Sequence, residues 1–542
     1  MRTVLQPRGR PRWSVGVVIV LMLSLVGVAL THSSAAFGIT DGATTRDYEI
    51  GDNDFRISDI GPDGNSFADA VLPKIAYNST NHEYLVVWAG QDVPDGPFDI
   101  YAQRIDATTG AEVGENDFRV SQTGNEDNQL FIDPIPDVTY NSTLNEYMVV
   151  WEAEVSQGPD LPTIYGIYGQ RLNAETGAAV GTDDFRVDLD TEIRDSDYRA
   201  TDPAVIYNST DDEYLVVWRG NLAEDRSFEI TGQRLSATGE RVGVNEFFIS
   251  DMGSDEGGGD ERFAAREPDV TYNATDNEYL VVWSGDDKVP PLVDNDFEIF
   301  GQRLAGATGT EVGVNDFRIS NMGPDGNTNF NTVHPTVAYN KTAGEYLVAW
   351  SGGFDSEFDA LEYGIYAQRL SAAGEERGDD FRVSDEQDGI GFWANYPGVA
   401  YNPTDNEYMI TWALGNVIGG VDVEYEVYGQ RLDGTSGAEV GDNDFRISDM
   451  GPEGNTDYRA FDSAMAYNSR DNEYMAVWSG TDDTAPLVDN EQEIFGQRLA
   501  WQPEATPTPP TPTATPPSAT PTPTPEVPPV SSSRAFLPLV IR

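Results

Sequence analysis

The sequence predicts an all-β protein made of seven copies of one four-stranded antiparallel unit. The phrase Tyr-Asn-x-x-x-x-Glu-Tyr-x-x-x-Trp occurs seven times, and its copies end at Trp88, Trp151, Trp218, Trp283, Trp350, Trp412 and Trp478. Successive copies lie 62 to 67 residues apart, and each is followed by a Gln-Arg segment. A period of this length predicts an array in which neighbouring units bury each other's apolar faces.

Four strands fit into each unit, and we name them a, b, c and d in chain order. In the fourth copy they cover 268–272, 278–283, 298–304 and 316–320. Strand b is apolar on both faces, which predicts a position between neighbouring sheets. Strand d alternates Phe and Ile with polar residues, which is typical of an outer edge strand. A small residue often precedes the Tyr of strand a, as a crowded inner wall requires.

The two ends of the array predict that it closes into a ring. A lone d strand at 54–58 precedes the first unit, whereas the last unit stops after its c strand at Leu499. Pairing 54–58 with 493–499 would complete the seventh unit. The predicted fold is therefore a seven-bladed β-propeller with four antiparallel strands per blade, closed by the N-terminal outer strand.

Residues 50 to 500 resemble the WD40-like propeller superfamily, including its periplasmic bacterial members, in strand order and in the a–b hairpin. The chain lacks the Trp-Asp strand end and the Ser-Pro-Asp-Gly turn of that superfamily. The resemblance therefore implies a fold and carries no function over.

The segments outside the array predict export. Four arginines precede an apolar run at 15–30, and Ser34-Ala35-Ala36 offers a cleavage point, so 1–36 is predicted to be a signal peptide. A retained membrane anchor is the alternative. The rest of the chain divides into a lead at 37–50, the propeller at 51–501, a disordered Thr/Pro-rich linker at 502–532 and an apolar tail at 533–542.

The C-terminal tail contains Phe-Leu-Pro-Leu-Val. It is similar to Phe/Tyr-Leu-Pro-Leu-Val tails that follow Thr/Pro linkers on secreted proteins of some filamentous bacteria. That resemblance implies sorting or surface attachment, and a frayed terminus is the alternative.

Charge and cysteine content restrict the partners. The chain has 92 Asp and Glu residues against 33 Lys and Arg residues, a net charge of −59. Such a field repels nucleic acid and anionic lipid, so neither is a predicted partner. The absence of cysteine excludes disulfides and thiolate chemistry. We expect a secreted or cell-surface protein, a monomeric disc without a membrane span in the mature chain.

Residues that recur in every unit are predicted to be structural. The Asn of the repeated phrase forms an N-glycosylation sequon in five units, but the sixth and seventh units keep the Asn without the sequon. We therefore expect this Asn to bond nearby backbone in the a–b turn. The repeated Glu of strand b and Arg of strand c are expected to form interblade hydrogen bonds and ion pairs, because a catalytic centre needs unequal groups.

Acidic, Gly-rich segments in the d–a loops suggest calcium as a weak candidate cofactor. The candidate ligands are Asp59, Asp63 and Asn65 in one loop and Asp325 and Asn327 in another. These loops lack the third-position Asp and the bidentate Glu of an EF-hand, so a plain Gly-rich turn is the alternative. No other cofactor is expected.

Trp393 is the only Trp inside the array that lies outside strand b. With Tyr396 it could stack on a sugar ring, because aromatic faces suit the apolar surfaces of sugars. These two residues are therefore the predicted ligand-binding pair. The alternative is that such aromatic residues cover the blade cores.

The long, variable d–a and b–c connections predict an interaction face, because binding residues commonly lie on loops of a rigid scaffold. No convincing catalytic set is evident in the sequence. We therefore expect a non-catalytic module that binds an extracellular protein or a glycan. One alternative is a carbohydrate-active hydrolase or lyase using acidic residues from unlike loops near the central axis, which should have a deep axial pocket. A surface spacer without a ligand is the other.

Overall fold

The structure is a computed structural model. It describes residues 48–501 apart from 62–63, 65, 67, 94–95, 122–133, 157–162, 189–198, 222–227, 253–263, 288–289, 294, 356–360, 386–390, 419–420, 453–454, 483–486 and 489. The predicted signal peptide, Thr/Pro linker and apolar tail lie outside these residues, which all belong to the compact unit Arg46–Arg542. No helix among the described residues is long and apolar enough to cross a membrane.

The described residues form 28 β-strands and no helix. In chain order the strands are β1 (Glu49–Arg56), β2 (Ala70–Asn78), β3 (Glu83–Gly90), β4 (Asp99–Asp106), β5 (Glu112–Arg119), β6 (Pro136–Asn141), β7 (Glu146–Ser156), β8 (Thr163–Asn173), β9 (Ala179–Arg186), β10 (Ala200–Asn208), β11 (Glu213–Gly220), β12 (Glu229–Ser236), β13 (Arg241–Phe248), β14 (Ala265–Asn273), β15 (Glu278–Gly285), β16 (Glu298–Ala305), β17 (Glu311–Arg318), β18 (Phe330–Asn340), β19 (Glu345–Asp355), β20 (Leu361–Ser371), β21 (Phe381–Arg382), β22 (Gly391–Asn402), β23 (Glu407–Ile418), β24 (Val421–Asp433), β25 (Glu439–Arg446), β26 (Ala460–Asn468), β27 (Glu473–Gly480) and β28 (Glu493–Leu499).

The strands form four-stranded antiparallel units in the order a-b-c-d, as β14-β15-β16-β17 illustrates. This confirms the predicted all-β fold and its repeating unit. Five units are separate sheets, whereas the fifth and sixth share one eight-stranded sheet. They join because the long strands β20 and β22 meet in a parallel pair, Tyr363 opposite Trp393. The outer strand of the fifth unit, β21, is only two residues long.

The innermost strands contact one another in the order β2, β6, β10, β14, β18, β22 and β26, and β26 contacts β2. At the outer edge of the last unit, β1 pairs antiparallel with β28, with Glu49 opposite Leu499 and Arg56 opposite Phe495. The two ends of the array therefore meet within one sheet, β1-β28-β27-β26.

The core lies between neighbouring sheets. Trp283 and Tyr279 of β15, for example, belong to one apolar cluster with Leu215 and Val217 of β11 in the preceding unit. The Trp that ends the repeated phrase is at most 1% exposed in all seven units. Truncating such a residue to Ala costs about 3–5 kcal/mol, so each Trp helps to hold two sheets together. This packing role is the one the sequence predicts.

The Asn of the repeated phrase holds the a–b turn. In the fourth unit the side-chain oxygen of Asn273 accepts the backbone N–H groups of Thr275 at 2.9 Å and Asp276 at 3.1 Å. The same pair of bonds forms in the other six units. The Asn273 side chain also donates to the Tyr346 hydroxyl of the next unit at 3.1 Å. The predicted turn role is confirmed.

The repeated Glu and Arg form ion pairs within a unit, so the prediction of interblade ion pairs is wrong. Arg171 of β8 lies 2.7 Å from Glu146 of β7, and equivalent pairs occur in every unit. The two residues face each other because they stand on adjacent strands of one sheet. The interblade link is a hydrogen bond instead, since Arg171 also donates to the Thr238 carbonyl of the next unit at 2.9 Å.

The outer strands share one bulge. In β17 the register shifts beside Asp316, whose φ is 45°, and its N–H donates to the Gln302 side chain at 3.0 Å. Its carboxylate accepts the Asp251 N–H of the preceding unit at 2.7 Å. The corresponding left-handed residues elsewhere are Asp54, Asp117, Asp184, Glu246 and Asp444. We call this position the outer bulge, and it links one unit to the next.

Candidate functional site

The innermost strands contain a second bulge, near the start of the strand. In β14 the register shifts between Arg266 and Asp269, and Glu267 within the shift has a φ of 55°. A left-handed backbone costs a non-glycine residue roughly 1–2 kcal/mol. Repeated strain of this kind directs attention to the residues that bear it. We call this position the inner bulge, and its other left-handed members, with φ of 52–56°, are Leu72, Asp202, His334, Tyr396 and Asp462.

The inner-bulge residues line one central cavity of about 680 Å³. In the second unit Ile135, which directly precedes β6, stands at the equivalent position and lines the same cavity. A proline follows the bulge residue in six of the seven units. A volume of this size can enclose a ligand of several hundred Å³, the usual range for binding pockets.

The cavity wall is chemically uneven, although every unit contributes the same position. Leu72 and Ile135 of the first two units make one side apolar. The other five units place ionisable side chains there, namely Asp202, Glu267, His334, Tyr396 and Asp462. A position that holds six different residue types in seven copies of a repeat is free of the structural constraint that fixes the other positions. The inner bulge is therefore where this protein can hold unequal groups.

Asp202 is a cavity carboxyl with a buried acidic neighbour behind it. Its backbone N–H donates to Glu152 of the preceding unit at 2.8 Å. Burial raises the pKa of Asp202, and the charge of Glu267 adds to the rise while Arg219 opposes it. Burial and the Asp202 charge raise the pKa of Glu152 to about 8. Glu152 therefore tends to keep a proton near neutral pH, and burial favours the protonated form of Asp202 relative to a free aspartic acid.

Glu267 and His334 are adjacent around the cavity. The His334 backbone N–H donates to a Glu267 carboxylate oxygen at 2.7 Å, and the same oxygen lies 3.6 Å from His334 Nδ1. Burial lowers the pKa of His334, and the charges of Arg266 and Lys74 act in the same direction against that of Glu267. The imidazole is thus held neutral, able to accept or donate one proton.

Tyr396 packs on His334, with ring centroids 4.3 Å apart. Burial raises the pKa of Tyr396 to about 12, so its hydroxyl remains a proton donor. Its carbonyl accepts the Ser463 hydroxyl at 3.3 Å, which fixes the strand next to Asp462 of the last unit. The ionisable side of the cavity is therefore continuous from Asp202 to Asp462.

Two further cavity carboxyls have a structural role. Asp137 accepts the Val205 N–H of the next unit at 2.7 Å, and Asp269 accepts the Val337 N–H at 2.8 Å. Burial raises the pKa of both, that of Asp137 to about 6. These bonds join neighbouring innermost strands, so we assign these two carboxyls to the wall.

The structure separates the two predicted sugar-stacking residues. Tyr396 is 39% exposed and lines the cavity, as an inner-bulge residue. Trp393 is 37% exposed but does not line the cavity. It lies three residues earlier in β22, where it pairs with Tyr363 of β20. The prediction that both bind one ligand remains a prediction.

Three of the five predicted calcium ligands form other polar contacts in the structure. Asp59 pairs with Arg56 at 2.9 Å, and Asp325 pairs with Arg318 at 2.8 Å. The Asn327 side chain accepts the Asn329 N–H at 3.3 Å. Asp63 and Asn65 lie outside the described residues. Among the residues that the structure does describe, no three acidic or histidine side chains are grouped to hold a metal.

Sequence reasoning missed most of the cavity residues. It expected catalytic carboxyls, if any, on unlike loops, whereas these lie on strand bulges. A usable signal was present, because a variable residue stands directly before a proline at the start of strand a in six of the seven units. Comparing the seven copies at that position would have found Asp202, Glu267 and His334.

No family model and no curated protein matches the chain. Among solved structures it resembles the α-L-arabinofuranosidase Arb93A of Fusarium graminearum, at 12% identity over 82% of this chain and 97% of the other, with a TM-score of 0.42. It also resembles an ulvan lyase of a new polysaccharide lyase family, at 9% identity over 81% and 95% of the chains, with a TM-score of 0.48. A third is the arabinanase Arb43A of Bacillus subtilis, at 14% identity over 55% and 94%, with a TM-score of 0.32.

These comparisons contradict the prediction of a non-catalytic binding module. The structures that the chain resembles are named as an α-L-arabinofuranosidase, an ulvan lyase and an arabinanase. At such low identities the likeness concerns the fold, which is an all-β propeller. An activity for this chain has to be argued from its own cavity.

Proposed function

We propose that this protein is a carbohydrate-active enzyme, a hydrolase or lyase that cleaves glycan chains in the central cavity. One observation carries the proposal: seven structurally equivalent positions converge on a single cavity, and five neighbouring ones hold ionisable side chains of four different types. Cleavage of a glycosidic bond requires a group that protonates the leaving oxygen and a second group that acts as base or nucleophile.

Asp202 is our candidate for the general acid. Burial raises the pKa of Asp202, and the charge of Glu267 from the next unit adds to the rise. Glu267 is the candidate base or nucleophile, since its carboxylate faces the cavity and is oriented by the His334 N–H. Two carboxyls in unequal surroundings are the arrangement that lets one donate a proton while the other accepts one.

The apolar side of the cavity suits the faces of sugar rings. Leu72 and Ile135 lie opposite the ionisable arc in the order of units, and Tyr396 adds an exposed aromatic ring. Sugar rings present C–H surfaces that pack on apolar and aromatic side chains. A glycan could therefore rest on this side while its linkage faces the acids.

A glycan substrate fits an exported protein. The arginine-led apolar run at 15–30 and the cleavage point at Ser34-Ala35-Ala36 support secretion, and the Thr/Pro-rich segment at 502–532 supports a spacer between the propeller and its tail. We propose that the enzyme acts outside the cell, on a polysaccharide that it meets there.

The proposal is tested by incubating the full chain with a panel of neutral, uronate-containing and sulfated polysaccharides. New reducing ends report cleavage, and absorbance at 235 nm identifies the unsaturated product of a lyase. Asp202→Asn and Glu267→Gln should each reduce cleavage by about 10²–10⁴-fold, the usual contribution of a general acid or base.

Matched controls are available on exposed outer strands. Asp183→Asn in β9 and Glu115→Gln in β5 make the same chemical changes far from the cavity lining and should leave cleavage and Tm unchanged. Absence of cleavage across the panel would contradict the proposal. Full activity in the Asp202 and Glu267 variants would also contradict it.

A further inference from the structure

Two cations in the cavity wall have no acidic partner. Lys74 and Arg266 both line the cavity, and neither has a carboxylate within 4 Å among the described residues. The strand-c arginines, by contrast, each have a carboxylate partner. In a chain with 92 acidic residues against 33 basic ones, an unpaired cation in an enclosed site needs an explanation.

Arg266 is held in place by packing and leaves hydrogen-bonding capacity unused. Its guanidinium carbon lies 3.7 Å from the centroid of the Phe297 ring. Its Nε is buried and has no hydrogen-bond partner in the structure. A guanidinium stacked in this way is oriented in advance for a planar or tetrahedral anion.

Lys74, in β2 of the first unit, is exposed and lines the same cavity as Arg266. It is one of only three lysines in the chain. Its charge lowers the pKa of the wall carboxyls Asp137 and Asp269, yet both of these are bound to backbone N–H groups instead. The ammonium group therefore remains available to a ligand.

Both cations act on one place, the neighbourhood of His334. The charges of Arg266 and Lys74 each lower the pKa of this imidazole. Glu267 is the carboxylate next to this imidazole, whereas Arg266 and Lys74, which line the same cavity, have no carboxylate of their own to pair with in the described part of the chain. The acidic surroundings would repel an anion elsewhere, so this corner is where a negative group can enter.

We propose that Lys74 and Arg266 form a subsite for an acidic sugar substituent, a carboxylate or a sulfate, so that the enzyme acts on acidic glycans. This inference rests on the proposed function and narrows its substrate class. The hydroxyls of a neutral glycan can accept hydrogen bonds from Arg266, but only an anionic substituent makes charge-assisted bonds with both cations, which are roughly twice as strong.

The test uses matched substrates that differ only in charge. Uronate polysaccharides are compared with the same polymers after reduction of their carboxyl groups to primary alcohols, and sulfated polysaccharides with their desulfated forms. We expect at least a 10-fold higher kcat/KM for the acidic member of one pair, and the pair that responds separates carboxylate from sulfate recognition.

Arg266→Met and Lys74→Met should raise KM for the acidic substrate by about 10-fold or more per lost charge-assisted contact, with a smaller effect on kcat. Arg266→Lys should recover part of the loss. Lys341→Met and Arg470→Met, which remove exposed cations outside the cavity lining, should change neither constant. Tm measurements show whether each variant is folded.

Binding of the same oligosaccharides to Glu267→Gln, measured by calorimetry, separates this inference from the proposed function. Cleavage of neutral and acidic members at equal rates would overturn the acidic subsite and leave the proposed function standing. Binding of acidic oligosaccharides that depends on Arg266, without any cleavage, would support the subsite and overturn the proposed function. Neither binding nor cleavage would overturn both.

Discussion

Among the described residues, the inner strands of six units and the outer strands of six units contain the same kind of irregularity and hold different residues there. Both have a bulge with a left-handed, non-glycine residue. At the outer bulge this residue is Asp in five of the six described left-handed cases and Glu in the sixth, whereas the inner bulge holds Leu, Asp, Glu, His and Tyr. The outer carboxylates form interblade hydrogen bonds, and the inner side chains face a cavity.

The contrast shows how a repeat protein can keep some positions constant for its fold and vary others for binding or catalysis. At the outer bulge the Asp side chain performs a structural task, since Asp316 joins its unit to the Asp251 backbone of the preceding one. At the inner bulge the side chains line the cavity, although the Glu267 carboxylate also accepts the His334 N–H of the next unit, and a proline follows the bulge residue in six of the seven units. The inner side chains differ between units.

Exchanging residue types between the two bulges should lower the free energy of unfolding most when the change is made at the outer bulge. Asp316→Leu removes the acceptor of the Asp251 N–H and puts a branched apolar residue at a φ of 45°. We expect a loss of about 2–3 kcal/mol in the free energy of unfolding, from the unpaired N–H and the added strain. Urea denaturation measures it, and an unchanged midpoint would contradict the structural role.

The outer bulge should also make stability depend on pH. Burial raises the pKa of Asp117 and of Asp316 from 3.8 to about 7, so the folded protein binds more protons than the unfolded chain between these values. Stability should therefore fall as the pH rises from 4 to 7 and then level off for these groups. Asp316→Asn should raise Tm at pH 8 and leave it unchanged at pH 4. A Tm of the variant below that of the wild type at pH 8 would contradict this account.

The reverse exchange should have the smallest effect on stability. Leu72→Asp puts at the inner bulge of the first unit a residue that the third and seventh units already hold there, in Asp202 and Asp462. We expect a change of less than about 1 kcal/mol, since the side chain faces the cavity rather than the core. Thermal unfolding of the two proteins at pH 6 measures the difference. A loss as large as that of Asp316→Leu would mean that the bulges are equivalent.

The parts of the fold that the sequence could predict are those that depend on repeated local patterns. Trp283 packing and the Asn273 turn follow from a phrase that recurs in every unit. The partner of Arg171 was predicted wrongly, because the sequence shows that Glu and Arg recur but not whether they meet within a sheet or between sheets. The fifth and sixth units join because β20 and β22 are long enough to pair at Tyr363. The repeat pattern of the sequence does not indicate this extra strand length.

The candidate site was harder to predict because it depends on bulges. A bulge shifts the alternation of side chains by one residue, so Glu267 faces the cavity although the surrounding pattern does not require it. The sequence predicted the loops and Trp393 as the binding region instead. Tyr396 was predicted as a ligand-binding residue because it is aromatic. Lys74 and Arg266 could not be predicted, because their shared position in one cavity is visible only when the seven innermost strands are brought together.

The central claim is that side chains at the inner bulge bind and cleave the substrate, whereas those at the outer bulge stabilise the fold. The same Asp→Asn substitution, made at each bulge, tests it most directly. Asp202→Asn and Asp316→Asn are compared with the wild type for kcat/KM on the best glycan of the panel and for Tm at pH 8. We predict that Asp202→Asn loses at least 100-fold in activity without a loss in Tm, and that Asp316→Asn keeps its activity and gains in Tm, because burial raises the pKa of both aspartates. Equal activity in the two variants would contradict the account.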